Sequence, residues 1–115
     1  EKPVNTALYE LMNVTREKDA DDEDIVSRCA WLMINEAAYC LQDGIISDPM
    51  HGDIGAIFGL GFPPFRGGPF RYMDSLGLVN AVRTLERLAE QFGDRFPPAP
   101  ILVEMAKKKE RFYKD

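Results

Sequence analysis

The chain has 115 residues, 14 Lys and Arg against 19 Asp and Glu, and a formal net charge of −5. That length fits one domain, and the acidic balance argues against a nucleic-acid backbone or an anionic membrane surface as the main partner. A single His and two Cys exclude a disulfide scaffold and leave too few ligands for a cysteine-rich zinc site.

No apolar run approaches the roughly 20 residues of a membrane span, and no signal-peptide pattern occupies the start at Glu1. The expectation is a soluble intracellular domain cut from a longer chain. Residues 1–21 read as a residual linker, with a short apolar group at Ala7, Leu8, Leu11, Met12 and Val14 and an acidic run at Asp19, Asp21, Asp22, Glu23 and Asp24. Acids at that point suit the positive N-terminal end of a helix. From Ile25 to Leu41 almost every residue is apolar, neither Pro nor Gly interrupts, and Gly44 follows as a stop. This pattern predicts a central helix buried on most sides. At about 100° per residue, Asp24, Arg28, Asn35 and Gln42 form one narrow polar stripe, while Glu36 falls opposite it, beside Ile25, Cys29, Leu32 and Cys40. A buried carboxylate there needs donors, and the expected ones are backbone N–H groups of the loop at 59–68.

Ser47-Asp48-Pro49 predicts a helix start with Ser47 as cap, followed by the apolar residues Met50, Ile54, Ile57 and Phe58. Gly59-Leu60-Gly61-Phe62-Pro63-Pro64-Phe65-Arg66-Gly67-Gly68-Pro69-Phe70 is too rich in Gly and Pro for regular structure, and its three Phe ask for burial. It is expected to be an ordered, packed loop organised by Glu36, Gly59, Gly61, Pro63, Pro64, Gly68 and Pro69. A short helix then runs from Pro69 towards Gly77. Leu78, Val82, Leu85, Leu88 and Phe92 mark an amphipathic helix ending at Gly93, and a last helix follows Pro100 and ends in Lys107, Lys108 and Lys109. No segment alternates with period two. The predicted class is all-α, a compact domain of five to six helices at residues 22–115.

Chemistry is sparse. A dinucleotide fingerprint begun at Gly59 and Gly61 needs its third Gly where Pro64 stands, and the loop follows a helix where the fingerprint needs a strand. Cys29 and Cys40 lie about 16 Å apart along one helix, too far for a disulfide, and read as buried structural thiols. His51 beside Asp48 and Asp53 suggests a proton shuttle only in outline, with a helix-start His as the plain reading. Arg66 and Arg71 read as surface pairs or salt bridges, or as contacts to an acidic partner surface or a phosphate group. No catalytic, cofactor-binding or metal residue is assigned.

Ile34-Asn35-Glu36-Ala37-Ala38, Gly44, Gly52-Asp53-Ile54-Gly55-Ala56-Ile57-Phe58-Gly59-Leu60-Gly61-Phe62-Pro63-Pro64 and Gly67-Gly68-Pro69-Phe70-Arg71-Tyr72-Met73-Asp74 together resemble the C-terminal helical domain of the 3-hydroxyacyl-CoA dehydrogenase family. The resemblance covers roughly residues 22–113, ending in Arg111-Phe112-Tyr113, and is narrowest to the second helical copy of bacterial-type multifunctional fatty-acid oxidation alpha subunits. It implies a fold like the C-terminal domain of 6-phosphogluconate dehydrogenase-like proteins. In such chains NAD, the glycine fingerprint and the catalytic His-Glu pair belong to a separate dinucleotide-binding domain, and hydratase activity to the N-terminal part. The first copy's Asn-Arg pair aligns with Ser27-Arg28, so Ser27 departs from the pattern and points to the non-catalytic repeat. The implied partners are the preceding repeat, the dinucleotide-binding domain and a thiolase-type beta subunit, with self-association of the fragment open. The implied location is cytoplasmic, or the mitochondrial matrix. Two other readings stay open: a CoA-contacting helical module using Arg66, Arg71 or Lys107–Lys109, and a free-standing enzyme using His51, Asp48 and Asp53.

Overall fold

The computed structural model describes residues 3, 5–15 and 20–114; of the acidic run, Asp19 lies outside them. Among the described residues six α-helices follow in order: α1 (Ala7–Leu11), α2 (Asp22–Gln42), α3 (Pro49–Leu60), α4 (Pro69–Leu76), α5 (Leu78–Phe92) and α6 (Pro100–Lys108), with a 3-10 turn at Pro64–Arg66. The described residues contain no strand, as the absence of period-two alternation predicts.

The helix starts follow local chemistry. Asp21 caps α2 by accepting a hydrogen bond from Glu23 N at 3.1 Å, and three acids fill the first turn. Asp48, not Ser47, caps α3: its side chain accepts from His51 N at 2.9 Å, with Pro49 at the first helical position. The helix runs two residues further than the glycines suggest and stops at Gly61, whose φ of +75° is left-handed. Gly77 and Gly93 bracket α5 as expected.

α2 is central and touches α3, α4, α5 and α6, while α5 packs along α6 and α3 along α4. Ile34, Phe70, Met73, Leu85, Leu88, Phe96 and Leu102 are fully buried. The orientation of α2 corrects the wheel reading. Its buried face carries Trp31, Ile34, Asn35 and Ala38, so the polar stripe borders the core, while Ile25, Val26, Cys29 and Glu36 on other faces are exposed. The reason lies in the turn before α6. Its prolines leave backbone groups that no helix satisfies, and Asn35 takes two of them, donating from Nδ2 to Pro97 O at 2.8 Å and accepting from Ala99 N at 2.9 Å. One turn further on, Gln42 Oε1 accepts from Ile101 N at 3.0 Å. Arg28, at the other end of the stripe, lays its guanidinium 4.3 Å from the centre of the Phe92 ring.

Among the described residues no helix is long and apolar enough to cross a membrane. Large apolar side chains nevertheless remain open on α1, at the start of α2, along α3 and at Phe65, which is 82% exposed where the sequence suggested burial.

Candidate functional site

The most organised polar cluster is built on Asp53, in the middle of α3 and only 4% exposed. Helix α4 begins at Gly68-Pro69, and Gly68 has no side chain with which to cap it. Asp53 supplies the cap from the neighbouring helix, accepting Phe70 N at 2.7 Å and Arg71 N at 3.2 Å. Gly68 must be glycine for this to happen. Its φ is +101°, and a Cβ there would stand 2.4 Å from Asp53 Oδ1. Phe70 then enters the core beside Gly52, where a Cβ would lie 2.5 Å from its ring. The Gly-Gly-Pro-Phe run is thus a helix start shaped to receive a carboxylate from another helix.

The C-terminal tail closes the cluster. Tyr113 Oη donates to Asp53 Oδ2 at 2.6 Å, and Asp74 accepts Phe112 N at 3.0 Å and Tyr113 N at 2.9 Å. The Phe112 ring meets Phe70 edge-on at 4.8 Å, and the Arg71 guanidinium lies 3.6 Å from the Tyr113 ring centre. Burial raises the Asp53 pKa, against the hydrogen bonds of Tyr113, Phe70 and Arg71 and the charge of Arg71, which hold it down. Burial and then the hydrogen bond to Asp53 push the Tyr113 phenol far above its usual range. Such a cluster positions backbone and exposes no nucleophile. The sequence signal for this role of Asp53 is not its proximity to His51 but an acid embedded among Gly52, Ile54, Gly55 and Ala56. The tail pairing spans 60 residues and has no local signature.

The other candidates separate. Glu36 is exposed on α2 and takes no hydrogen bond from the loop, which corrects its expected role; Asp53 accepts the amides instead. Of the remaining loop residues, Gly59 lies in α3 and is exposed, Gly61 caps α3, Pro63 and Pro64 start the 3-10 turn, and Pro69 is buried at the start of α4. Cys29 and Cys40 are free thiols, the first exposed rather than buried. His51 Nδ1 lies 2.8 Å from both Ser47 Oγ and an Asp48 carboxylate oxygen at the exposed end of α3. Residues two positions apart on a helix point about 200° apart, so buried Asp53 faces away from His51 and the three residues form no common site. Arg66 sits over Phe65 and Tyr72, at 5.4 and 5.1 Å. Lys108 pairs with Glu104 at 2.6 Å, and Lys109 ends α6 in the left-handed region.

The glycine-rich segment does not fit a dinucleotide. It follows α3 rather than a strand, and its donors are used internally: Phe62 N by Ala56 O, Arg66 N by Pro63 O, Gly67 N by Pro64 O, and those of Phe70 and Arg71 by Asp53. Among the described residues no group of three His, Cys, Asp or Glu could hold a metal. Two grooves remain. One of about 490 Å³ lies between α2 and the α5–α6 turn, lined by Arg28, Arg95, Phe92 and Cys29 among others. The second, about 280 Å³ and apolar, lies between α2 and α3.

Residues 25–114 match the family described as 3-hydroxyacyl-CoA dehydrogenase, C-terminal domain. Over 112 residues, 97% of this chain, it is 52% identical to the fatty acid oxidation complex subunit alpha of Idiomarina loihiensis, 53% to that of Shewanella loihica and 52% to that of Vibrio vulnificus. In each case the chain spans 16% of the relative's length. The Gly-Phe-Pro-Pro and Gly-Gly-Pro-Phe segments that build α4's start, together with this coverage, leave one assignment: the chain belongs to the family of C-terminal domains of 3-hydroxyacyl-CoA dehydrogenases.

Proposed function

We propose that this domain is the second helical copy of a fatty-acid β-oxidation multienzyme, where it serves as a structural and interaction unit packed against the catalytic copy. The observation that carries this reading is the apolar surface left open, with Leu11, Val26, Phe58 and Leu60 all at least 67% exposed, on a chain spanning 16% of its relatives. In the proposed parent, which lies in the cytoplasm, residues 1–21 link the two copies. A dinucleotide-binding domain elsewhere in the chain holds NAD for 3-hydroxyacyl-CoA oxidation, the N-terminal part carries hydratase activity, and a thiolase-type beta subunit completes the complex. Ser27 in place of Asn, and Arg28 stacked on Phe92, support a copy that supplies no acid or base to that reaction.

The test is an assay of NAD-linked 3-hydroxyacyl-CoA oxidation by the 115-residue chain. No turnover is expected, and oxidation by the purified chain overturns the reading. A second reading, contact with CoA phosphates, is favoured by Arg66, whose guanidinium is held on two rings and pairs with no carboxylate among the described residues. An NMR titration with CoA separates the two: shifts confined to Arg66, Arg71 and Lys107–Lys109 would support it, and no shifts would dismiss it.

A further inference from the structure

Helix α3 has two unlike sides. Towards the domain, Gly52 lies so close to Phe70 and Ile46 that a Cβ would meet their side chains at 2.5 and 2.7 Å, and Asp53 and Ala56 are buried. The opposite arc carries Met50, Ile54 and Phe58, one turn apart and 54%, 49% and 86% exposed. At about 100° per residue these three fall within about 80° of each other, and Gly55 and Gly59 continue the same arc. A Cβ built on either glycine meets nothing within 4 Å. The arc contains no Asp, Glu, Lys or Arg, and His51 is its one titratable residue.

A permanently solvated helix has no physical use for this arrangement. Its outer face normally carries charge, and each helical Gly weakens it relative to Ala. A second helix crossing here gives both features a purpose. Bare backbone at Gly55 and Gly59 permits an approach closer than the usual 8–10 Å between axes, and Ile54 and Phe58 supply the flanking contact. Gly55 also borders the apolar groove of about 280 Å³ between α2 and α3, beside Ala37 and Cys40, which can receive an apolar side chain of the crossing helix.

We infer that the Met50–Ile54–Phe58 arc of α3, with Gly55 and Gly59, is the seat of a crossing helix from the remainder of the parent polypeptide. This rests on the reading that the domain is held within a longer chain. The relatives are about six times as long, so ample chain lies outside these residues, and a covalent tether raises its effective concentration at the face. An uncharged seat suits a tethered helix, which needs no charge to find its partner. Two free copies each carrying −5 repel one another instead.

The test compares maleimide labelling of Phe58→Cys in the whole alpha subunit and in the 115-residue chain, with Cys29 and Cys40 replaced by Ser and Ala. Labelling at least ten-fold slower in the whole subunit is expected. Adding Gly59→Leu should leave the melting temperature of the 115-residue chain unchanged or higher, yet restore rapid labelling in the whole subunit. Equal labelling rates, with hydrogen exchange slowed at α1 or the start of α2 in the whole subunit, overturn this seat while the packing reading stands. Equal rates with no exchange slowed anywhere on the domain overturn both. Protection that appears in the 115-residue chain and rises with its concentration names a second copy as occupant and overturns the inference.

Discussion

Asp53 shows how one side chain settles several local choices. It caps α4, dictates glycine at position 68 and holds Tyr113. Asp53→Ala leaves Phe70 N, Arg71 N and Tyr113 Oη without their acceptor, and denaturant titration is expected to read a loss of about 3 kcal/mol. Its raised native pKa also has a sign. A carboxyl that is easier to protonate when folded contributes stability below its ordinary value of 3.8 and loses that contribution as pH rises through the raised native value. The same titration repeated across the acid range should show this downward component in the parent protein and not in Asp53→Ala. Glycines 68 and 59 predict opposite outcomes. Gly68→Ala, strained at φ +101° and pressed against Asp53, should cost about 2 kcal/mol or more, whereas Gly59→Ala, helical with open space, should raise stability by about 0.5–1 kcal/mol in thermal melts. The sequence marked both glycines as special but could not distinguish them, because the difference is a neighbouring carboxylate contributed from 15 residues upstream of Gly68.

At the level of helices, the existence and order of α2 through α6 and the bounds of α4 and α5 are legible, since glycine terminators and the steps of α5 are local signals, whereas α3 takes Asp48 rather than Ser47 as its cap and runs on to Leu60. What could not be read was which way α2 turns. Apolar content nearly all round gives no direction, and the choice falls to the partners of the Pro97–Pro100 turn, reached across more than 60 residues. Asn35 therefore sits in the core, and Glu36, its neighbour in sequence, sits in water. Asn35→Ala removes both bonds to that turn and should lower stability by about 2–3 kcal/mol, with hydrogen exchange accelerating in α6 before it does in α5. Uniform acceleration across all helices would contradict a local clamp.

Over the whole molecule, two buried carboxylates, Asp53 and Asp74, bind the last residues described. Removing residues 111–115 takes away three hydrogen-bond donors and the Phe112 contact with Phe70, and should lower the melting temperature by about 10 °C or more, from a loss of several kcal/mol. Calorimetry of the shortened chain checks this, and an unchanged melt would show the tail to be ornamental. This tie also sets an order of events during synthesis. The start of α4 is complete only when Tyr113 reaches Asp53, so a ribosome that has released α3 and α4 still exposes a carboxylate lacking its last donor and a Phe70 lacking its Phe112 neighbour. The domain should therefore gain its final protection against proteases late and in one step, when the segment through Tyr113 clears the exit tunnel.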